Sequence, residues 1–302
     1  MWFKNLSVFR LTEAFTLSAE DLEAKLAELA FRPCGPHQES SFGWTSPIGK
    51  NGQQLVHSSN GFMMLCGKKE ERVLPSSVVN EMVQEKILET EDKQGRKLGK
   101  KERTAIKDEL IFELLPKAFT FSRKTYAYID PKGGWIVVDA ASAKNAEDLL
   151  SLLRKALGSL PAVPLNTVNK PTAVMTDWLS TYQTPSDVTI EDECELRSPE
   201  EAGGIIRCKR HDLALPEIKN HLDTGKAVIK LAVNWADRLA FVIDENLSIK
   251  RLRFLELIQD QVADIQTDND SERFDADFSI MSLELSQFLP RLLELFGGEQ
   301  TA

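Results

Sequence analysis

Two helices in direct succession interrupt a chain that otherwise reads largely as strands, and this insertion limits the fold more than any other feature. Pro75-Ser76-Ser77 marks a helix start, and Val79, Met82, Val83 and Ile87 follow at helical spacing. Gly95 and Gly99 bracket a break, and residues 100–115 predict a second helix that Pro116 ends. Two helices with so short a connection form a hairpin that can project from a body. Strands over 118–129 and 135–140, joined by a Pro131-Lys132-Gly133-Gly134 turn, resume the sheet beyond it.

Ahead of the insertion, Leu6-Ser7-Val8-Phe9-Arg10-Leu11 alternates roughly and predicts a strand with one buried face. Ser18, with Asp21 at the capping-box offset, opens a helix through Leu29. Residues 42–67, rich in Gly and Ser, predict short strands joined by turns. After the insertion, Ser142 caps a helix whose Ala146, Leu149, Leu150, Leu153 and Leu157 form one stripe, and Gly158 closes it. The Pro-containing stretch 160–165 and the polar run to Pro171 mark a boundary. Beyond it, strands fall at 188–196 and 204–209, then a helix begun by Pro216 and ended near Gly225, then a meander at 228–235, 239–243 and 247–254. The acidic residues 260–272 predict a solvated loop or a frayed helix end. A last helix uses Leu285, Phe288, Leu289, Leu292, Leu293 and Phe296, with Pro290 inside the pattern marking a kink or a later start. The expected class is α+β, with mixed, mostly antiparallel sheets and a projecting helical hairpin. Its expected parts are a body over 1–75 and 117–165, the hairpin over 76–116, and a second α+β region over 166–302 with an acidic C-terminal part.

Composition excludes several classes. With 302 residues, 42% apolar and 27% charged, the chain can build a large core and is not disordered throughout. Four cysteines without a CxxC argue against a disulfide scaffold. The charge-free stretch 51–67 contains Gln, His, Ser and Asn, so no span of a bilayer is expected there. The first residues lack the apolar core of a signal peptide, which gives a cytosolic, reduced protein as the expectation.

The formal net charge of −9 is unevenly spread. Residues 254–302 carry eleven acids and two bases, and the preceding 253 are neutral. Within those, residues 93–107 hold seven bases against one acid, Glu102. Lys93, Arg96 and Lys97 fall near the end of the first hairpin helix, where the macrodipole favours cations. Lys100, Lys101 and Arg103 open the second, where it disfavours them by about 0.3–1 kcal/mol each. Local helix stability does not account for those three, whereas a polyanion would. Further bases recur at Lys117, Arg123, Lys124, Arg207, Lys209, Arg210, Lys226, Lys230, Lys250, Arg251 and Arg253, a scatter suited to phosphate neutralisation rather than base reading.

No catalytic pattern emerges. Cys34 and His37 have no second ligand pair nearby, and His57 and Cys66 lack zinc-ribbon spacing. Asp275-Ala276-Asp277 reads as a solvated turn, and Glu191, Glu193 and Glu195 as an exposed strand face as much as a metal site. Gly225-Lys226-Ala227 lacks the first Gly and the Ser/Thr of a phosphate loop. Neither a catalytic residue, a metal, a cofactor nor a small-molecule substrate is expected.

Seven segments resemble the RdgC family of recombination-associated proteins of proteobacteria, in the family's order and across essentially the whole chain. They are Trp2-Phe3-Lys4-Asn5-Leu6, Lys68-Lys69-Glu70-Glu71-Arg72-Val73-Leu74-Pro75, Leu114-Leu115-Pro116-Lys117-Ala118-Phe119 and Ala141-Ser142-Ala143-Lys144-Asn145-Ala146-Glu147-Asp148. Leu157-Gly158-Ser159-Leu160-Pro161, Arg207-Cys208-Lys209-Arg210-His211-Asp212-Leu213 and Arg273-Phe274-Asp275-Ala276-Asp277-Phe278 complete them. The resemblance implies a non-enzymatic protein of the cytoplasm and nucleoid. It would bind double-stranded DNA largely without regard to sequence, as a ring-shaped homodimer of elongated protomers with a positive hole, and restrain the RecA recombinase by occupying the DNA. By the same resemblance, DNA contacts fall on Arg96 and its neighbours Lys93, Lys97, Lys100, Lys101 and Arg103, and on Lys117 and Lys226. Lys117 stands where Arg is common, which keeps charge and loses bidentate phosphate geometry. Two regions close the family's ring: one includes Phe119, which the residues alone would place in the core, and the other the turn of Arg210 and His211. Gln is common at the position of His211, and an imidazole there brings a group that as a type titrates near neutrality. Two other classes stay open: a protein-interaction module acting directly on the recombinase, and a nuclease, motivated by the acidic clusters.

Overall fold

The computed structural model describes residues 1–49, 52–200, 203–263 and 269–300. Alternation sets the first strand, β1 (Asn5–Leu11), which sends Leu6 and Val8 into one core and Phe9 and Leu11 into another. Helix α1 (Ala19–Ala27) starts at Ser18, whose Oγ accepts from the Asp21 amide at 3.1 Å. Strands β2 (Ser40–Thr45), β3 (Val56–Ser59) and β4 (Phe62–Val73) follow. Then come α2 (Ser76–Gln94), α3 (Lys100–Leu114) and a 3-10 turn over Leu115–Lys117. The chain continues with β5 (Phe119–Asp130), β6 (Trp135–Val138), α4 (Ala143–Leu157) and β7 (Ala162–Pro164). Its second half contains α5 (Pro171–Thr181), β8 (Val188–Arg197), β9 (Ile205–Lys209), α6 (Pro216–Asp223), β10 (Ala227–Trp235), β11 (Leu239–Asp244) and β12 (Ile249–Phe254). Helices α7 (Glu256–Ala263) and α8 (Asp270–Leu295) end it.

The protein is α+β, with one large antiparallel sheet in the order β2-β4-β5-β6-β1-β12-β11-β10-β8-β9. Strand β3 extends the line of β2 along β4. β1 joins the two halves: it pairs with β6 on one side, and on the other with β12 at Asn5 and Leu6 and with β7 farther on. One core, under α5 and α8, gathers Phe3, Met64 and Tyr128 from the first half with Leu231, Phe241, Phe278 and Phe288 from the second. On the opposite face of the first half, α1 and α4 cover Leu65, Ile129 and Ile136 with Leu22, Leu149 and Leu153. Each fully buried side chain of this size contributes about 1.5–3 kcal/mol. Gly67 permits the close seat of α4, since a Cβ there would lie 2.5 Å from Leu149 Cδ1. Helices α2 and α3 pack on one another through a small cluster of Val79, Val83, Ile87, Leu98 and Leu110.

The structure corrects several expectations. The polar run to Pro171 gives way to α5, with Pro171 in its first turn and Met175, Trp178 and Leu179 buried at helical spacing. The charged residues 68–73 continue β4 rather than ending it, because β5 supplies eleven consecutive pairs along that strand. α7 reaches Ala263, inside the acidic stretch expected as a loop or a frayed helix end, and 264–268 lie outside the described residues. α8 begins far earlier than the apolar stripe alone indicates, capped by Asn269 with Asp270 and Glu272 in the first turn, where the helix dipole favours acids. Asp275 and Asp277 therefore belong to a helix and not to a solvated turn: Asp275 meets His57 Nε2 at 2.9 Å, and Asp277 is buried against the Met1 amino group. The helix runs through Pro290, whose ring faces solvent while Phe288, Leu289, Leu292 and Leu293 bury. No helix among the described residues is long and apolar enough to cross a membrane.

Candidate nucleic-acid interface

The basic segment lies at the far end of α2 and α3, where Gly95 takes a left-handed φ of 64° to end the first helix. Of its seven bases, Lys107 is exposed farther along α3, and the other six divide into distinct roles. Arg96 donates from Nη1 and Nη2 to Glu102 at 3.0 and 2.5 Å, and the Gly99 amide donates to the same carboxylate at 2.8 Å. The guanidinium hydrogen bonds first, and the amide second, hold the Glu102 carboxyl down at about 2. Arg103 donates to the Leu98 carbonyl at 3.1 Å and to Glu91 at 2.9 Å, while Glu91 also accepts from the Leu98 amide. Local structure thus accounts for Arg103, contrary to the expectation from helix dipoles alone. Lys93, Lys97, Lys100 and Lys101 are exposed, and among the described residues no carboxylate lies within 4 Å of their ammonium groups. These four charges face solvent at the site's tip.

At the other end of the two helices, Arg72 fixes where they leave the sheet. Its guanidinium donates to the Leu115 and Ala118 carbonyls at 2.8 and 3.3 Å, and to Gly35 at 3.1 Å. Beside it, the His37 ring stacks on Phe112 of α3 at 3.9 Å between centroids. Cys34 Sγ donates to the Glu70 carbonyl, so the Cys34–His37 stretch ties a loop to β4 and α3. Sequence reasoning missed Arg72, since one arginine inside a charged run carries no mark of its four carbonyl partners.

Lys117 is exposed in the 3-10 turn, and Phe119 follows at the start of β5 with 87% of its surface exposed. The core placement suggested by the residues alone is therefore wrong. Phe121 lies on the same strand face and Val73 directly opposite Phe119, both also exposed, so an apolar patch caps this end of the β4–β5 ladder. Arg123, next along that face, sits over the Phe121 ring at 5.9 Å.

Arg210 and His211 follow β9, the last strand of the sheet order. Arg210 is exposed and left-handed at φ 52°, and the His211 amide donates to the Asp192 carbonyl at 3.1 Å. His211 Nε2 meets Glu217 Oε1 at 2.5 Å. Seven strand intervals separate β5 from β9, roughly 34 Å at about 4.8 Å each. Lys226 is half-buried before β10 and donates to Thr224 Oγ1 at 3.0 Å.

Most of the remaining bases in the second half are engaged with acids. Glu195 takes Lys230 at 2.8 Å and Arg207 at 3.4 Å, Glu193 takes Arg251 at 2.6 Å, and Glu191 takes Arg253 at 3.4 Å. Lys250 pairs with Asp244 at 2.9 Å. The scatter of bases therefore reflects ion pairs between strands here, and the alternating acids of β8 are the partners of all of these but Lys250. Among the described residues, no three His, Cys, Asp or Glu side chains converge as a metal site.

A family model described as "Putative exonuclease, RdgC" matches residues 1–299. The recombination-associated protein RdgC of Aeromonas hydrophila is 49% identical over 300 residues, covering 99% of this chain and 99% of that one. Its counterpart in Tolumonas auensis is 50% identical over 300 residues, with the same coverage of both. That of Pseudomonas aeruginosa is 48% identical over 301 residues, 99% of this chain and 98% of its own.

Proposed function

The chain belongs to the RdgC family of recombination-associated proteins, and from that premise we propose that it binds duplex DNA without reading its sequence, as a ring-shaped homodimer that restrains RecA-mediated recombination by occupying the DNA. The observation that carries this reading is the set of four exposed lysines at the tip of α2 and α3, in a segment whose single acid is already held by Arg96. Such charges favour a phosphate backbone and carry no base specificity. In this reading α2 and α3 project as a hairpin over residues 76–116 from a body of 1–75 and 117–165, and 166–302 form the second region. Arg96 and Arg103 shape the tip that presents Lys93, Lys97, Lys100 and Lys101, and Lys117 and Lys226 add phosphate contacts elsewhere.

Phe119 and the Arg210–His211 turn sit at well-separated places along the sheet. Two contacts, each made with its own copy about a two-fold axis, enclose a gap between protomers. The protein then works in the cytoplasm on the nucleoid, with no cofactor, metal, catalytic residue or small-molecule substrate. The test is retention on linear and covalently closed duplex across a salt series, with mass measured in solution. A dimer held only on closed circles at higher salt is the expected result. Equal release from both forms would reduce the protein to a basic surface binder, and absence of DNA binding would favour a module acting directly on the recombinase. The family description favours a second reading, an exonuclease. Duplex shortened in the presence of magnesium or manganese would establish it against the non-enzymatic one, and intact duplex would remove it.

A further inference from the structure

Cys194 and Cys208 stand directly opposite one another on β8 and β9. Residues so placed in an antiparallel pair have Cα atoms about 4.5–5.5 Å apart and side chains on the same face. That spacing lies within the range of about 4.4–6.8 Å that a disulfide spans. Both side chains join the same core, Cys194 buried within it and Cys208 half-buried at its margin. Cys66 lacks such an arrangement, facing Thr45 and Tyr126 across its ladders. Cys34 lies in a loop.

We propose that Cys194 and Cys208 form a reversible dithiol–disulfide site, oxidised by exchange with a small-molecule disulfide, that locks edge strand β9 onto β8. Cys208 is the thiol an external reagent reaches. Its sulfur bonds to one sulfur of the small disulfide, whose S–S bond breaks, and the expelled thiolate takes the Cys208 proton. Cys194 then bonds to the Cys208 sulfur and expels the second small thiolate, which takes the Cys194 proton. Two protein thiols are oxidised, and one small disulfide is reduced to two thiols. Burial raises the Cys194 thiol to about 12, with its neighbour Cys208 adding to the shift, so Cys194 stays protonated until a mixed disulfide forms beside it.

The consequence follows from topology. β9 is five residues long and pairs only with β8 among the described strands. A covalent link at Cys208 lies two residues ahead of Arg210. Its bearing on ring closure rests on the proposed second contact, whereas the thiol chemistry does not.

The full-length protein is equilibrated in a series of reduced and oxidised glutathione, quenched in acid, and alkylated after denaturation. Four alkylatable thiols at the reducing end and two at the oxidising end are expected, with a Cys194–Cys208 cross-linked peptide in the digest. Cys194→Ala should leave a glutathione adduct on Cys208, and Cys208→Ala should leave Cys194 unmodified. Four free thiols at every ratio, or a lasting glutathione adduct on Cys208 in the unaltered protein, overturns the proposal. Amide exchange over 205–209 should slow on oxidation, and unchanged exchange overturns the locking of β9. These readouts need no DNA, so their failure is distinct from failure of the DNA-binding reading.

Discussion

Arg96 and Glu102 grip one another across the turn between α2 and α3, the guanidinium donating twice to the carboxylate at 3.0 and 2.5 Å. The most obvious cation of the basic segment would therefore meet a duplex already neutralised. Arg96→Ala, which leaves the Glu102 charge uncompensated, is expected to weaken DNA binding about as much as Lys100→Ala. Glu102→Gln, which removes the only acid of the segment, should tighten binding a few-fold, the modest effect expected of exposed charges. Fluorescence titration of a labelled duplex at fixed salt decides this, and a larger loss for Arg96 than for Lys100 would return Arg96 to the binding surface. The carboxyl is depressed to about 2, so its contribution to the turn is present above the ordinary Glu range near 4.3 and is lost as pH falls toward about 2. Binding between pH 5 and 8 should be indifferent to Glu102 titration.

Replacing Lys93, Lys97, Lys100 and Lys101 together by Ala should lower the slope of log affinity against log salt by up to about 3.6, if each lysine neutralises one phosphate. The four side chains are exposed, so the expected change in folding stability is within about 0.5 kcal/mol per site. An unchanged slope with unchanged melting would move the DNA surface away from the α2–α3 tip.

Periodicity made much of this fold legible. The stripe of Leu149, Leu150 and Leu153 marks α4, and the alternation of Leu6 and Val8 marks β1, because burial on one face imposes those patterns. What periodicity could not carry was partnership between distant segments. The strand signal stops at Gly67 and does not show that 68–73 go on pairing with β5, and Asp277 looks solvated until α8 brings it beneath the N-terminus. The charge of the basic tip was plain in the sequence, but its division was not. Arg103 and Lys101 differ only in that Glu91 and the Leu98 carbonyl are within reach of one of them. Likewise, a Phe that opens a strand reads as core until both faces of that strand are known, and Phe119 has nothing over it within the protomer.

Phe119→Ser should leave the monomer's stability within about 0.5 kcal/mol, since a side chain this exposed has little packing to lose. Its expected effect is a weaker self-association constant, measured by sedimentation equilibrium. Phe121→Ser, on the same face, should act in the same direction. An unaltered association constant would exclude the β4–β5 end from the dimer contact.

Arg238 caps a carboxylate that α8 has taken out of water. Its Nε and Nη2 donate to Glu284 at 2.7 and 2.5 Å, and Glu284 is 3% exposed. Arg238→Met removes the counter-ion and leaves a buried charge, a loss of about 3–5 kcal/mol. Coupling it with Glu284→Leu should recover most of that loss, because the apolar pair has no charge to desolvate. Urea midpoints of the single and double variants test the coupling, and equal destabilisation by both would show that packing rather than charge dominates.

Asp187 anchors the C-terminal half of α8 by accepting from Arg291 Nε and Nη2 at 2.8 and 2.9 Å and from Trp235 Nε1 at 3.0 Å. Those bonds, the Arg291 pair foremost, bring its carboxyl to about 2. A depressed carboxyl stabilises the fold above its unfolded pKa near 3.9 and loses that contribution as pH falls through about 2. The group is partly exposed, and solvent screening reduces the contribution to about 1 kcal/mol. Asp187→Asn should therefore cost about that much at pH 7 and progressively less below pH 4, so that its urea curve approaches that of the unaltered protein near pH 2. A deficit that stays constant from pH 7 to pH 2 would assign the loss to the altered hydrogen bonds alone and not to the charge.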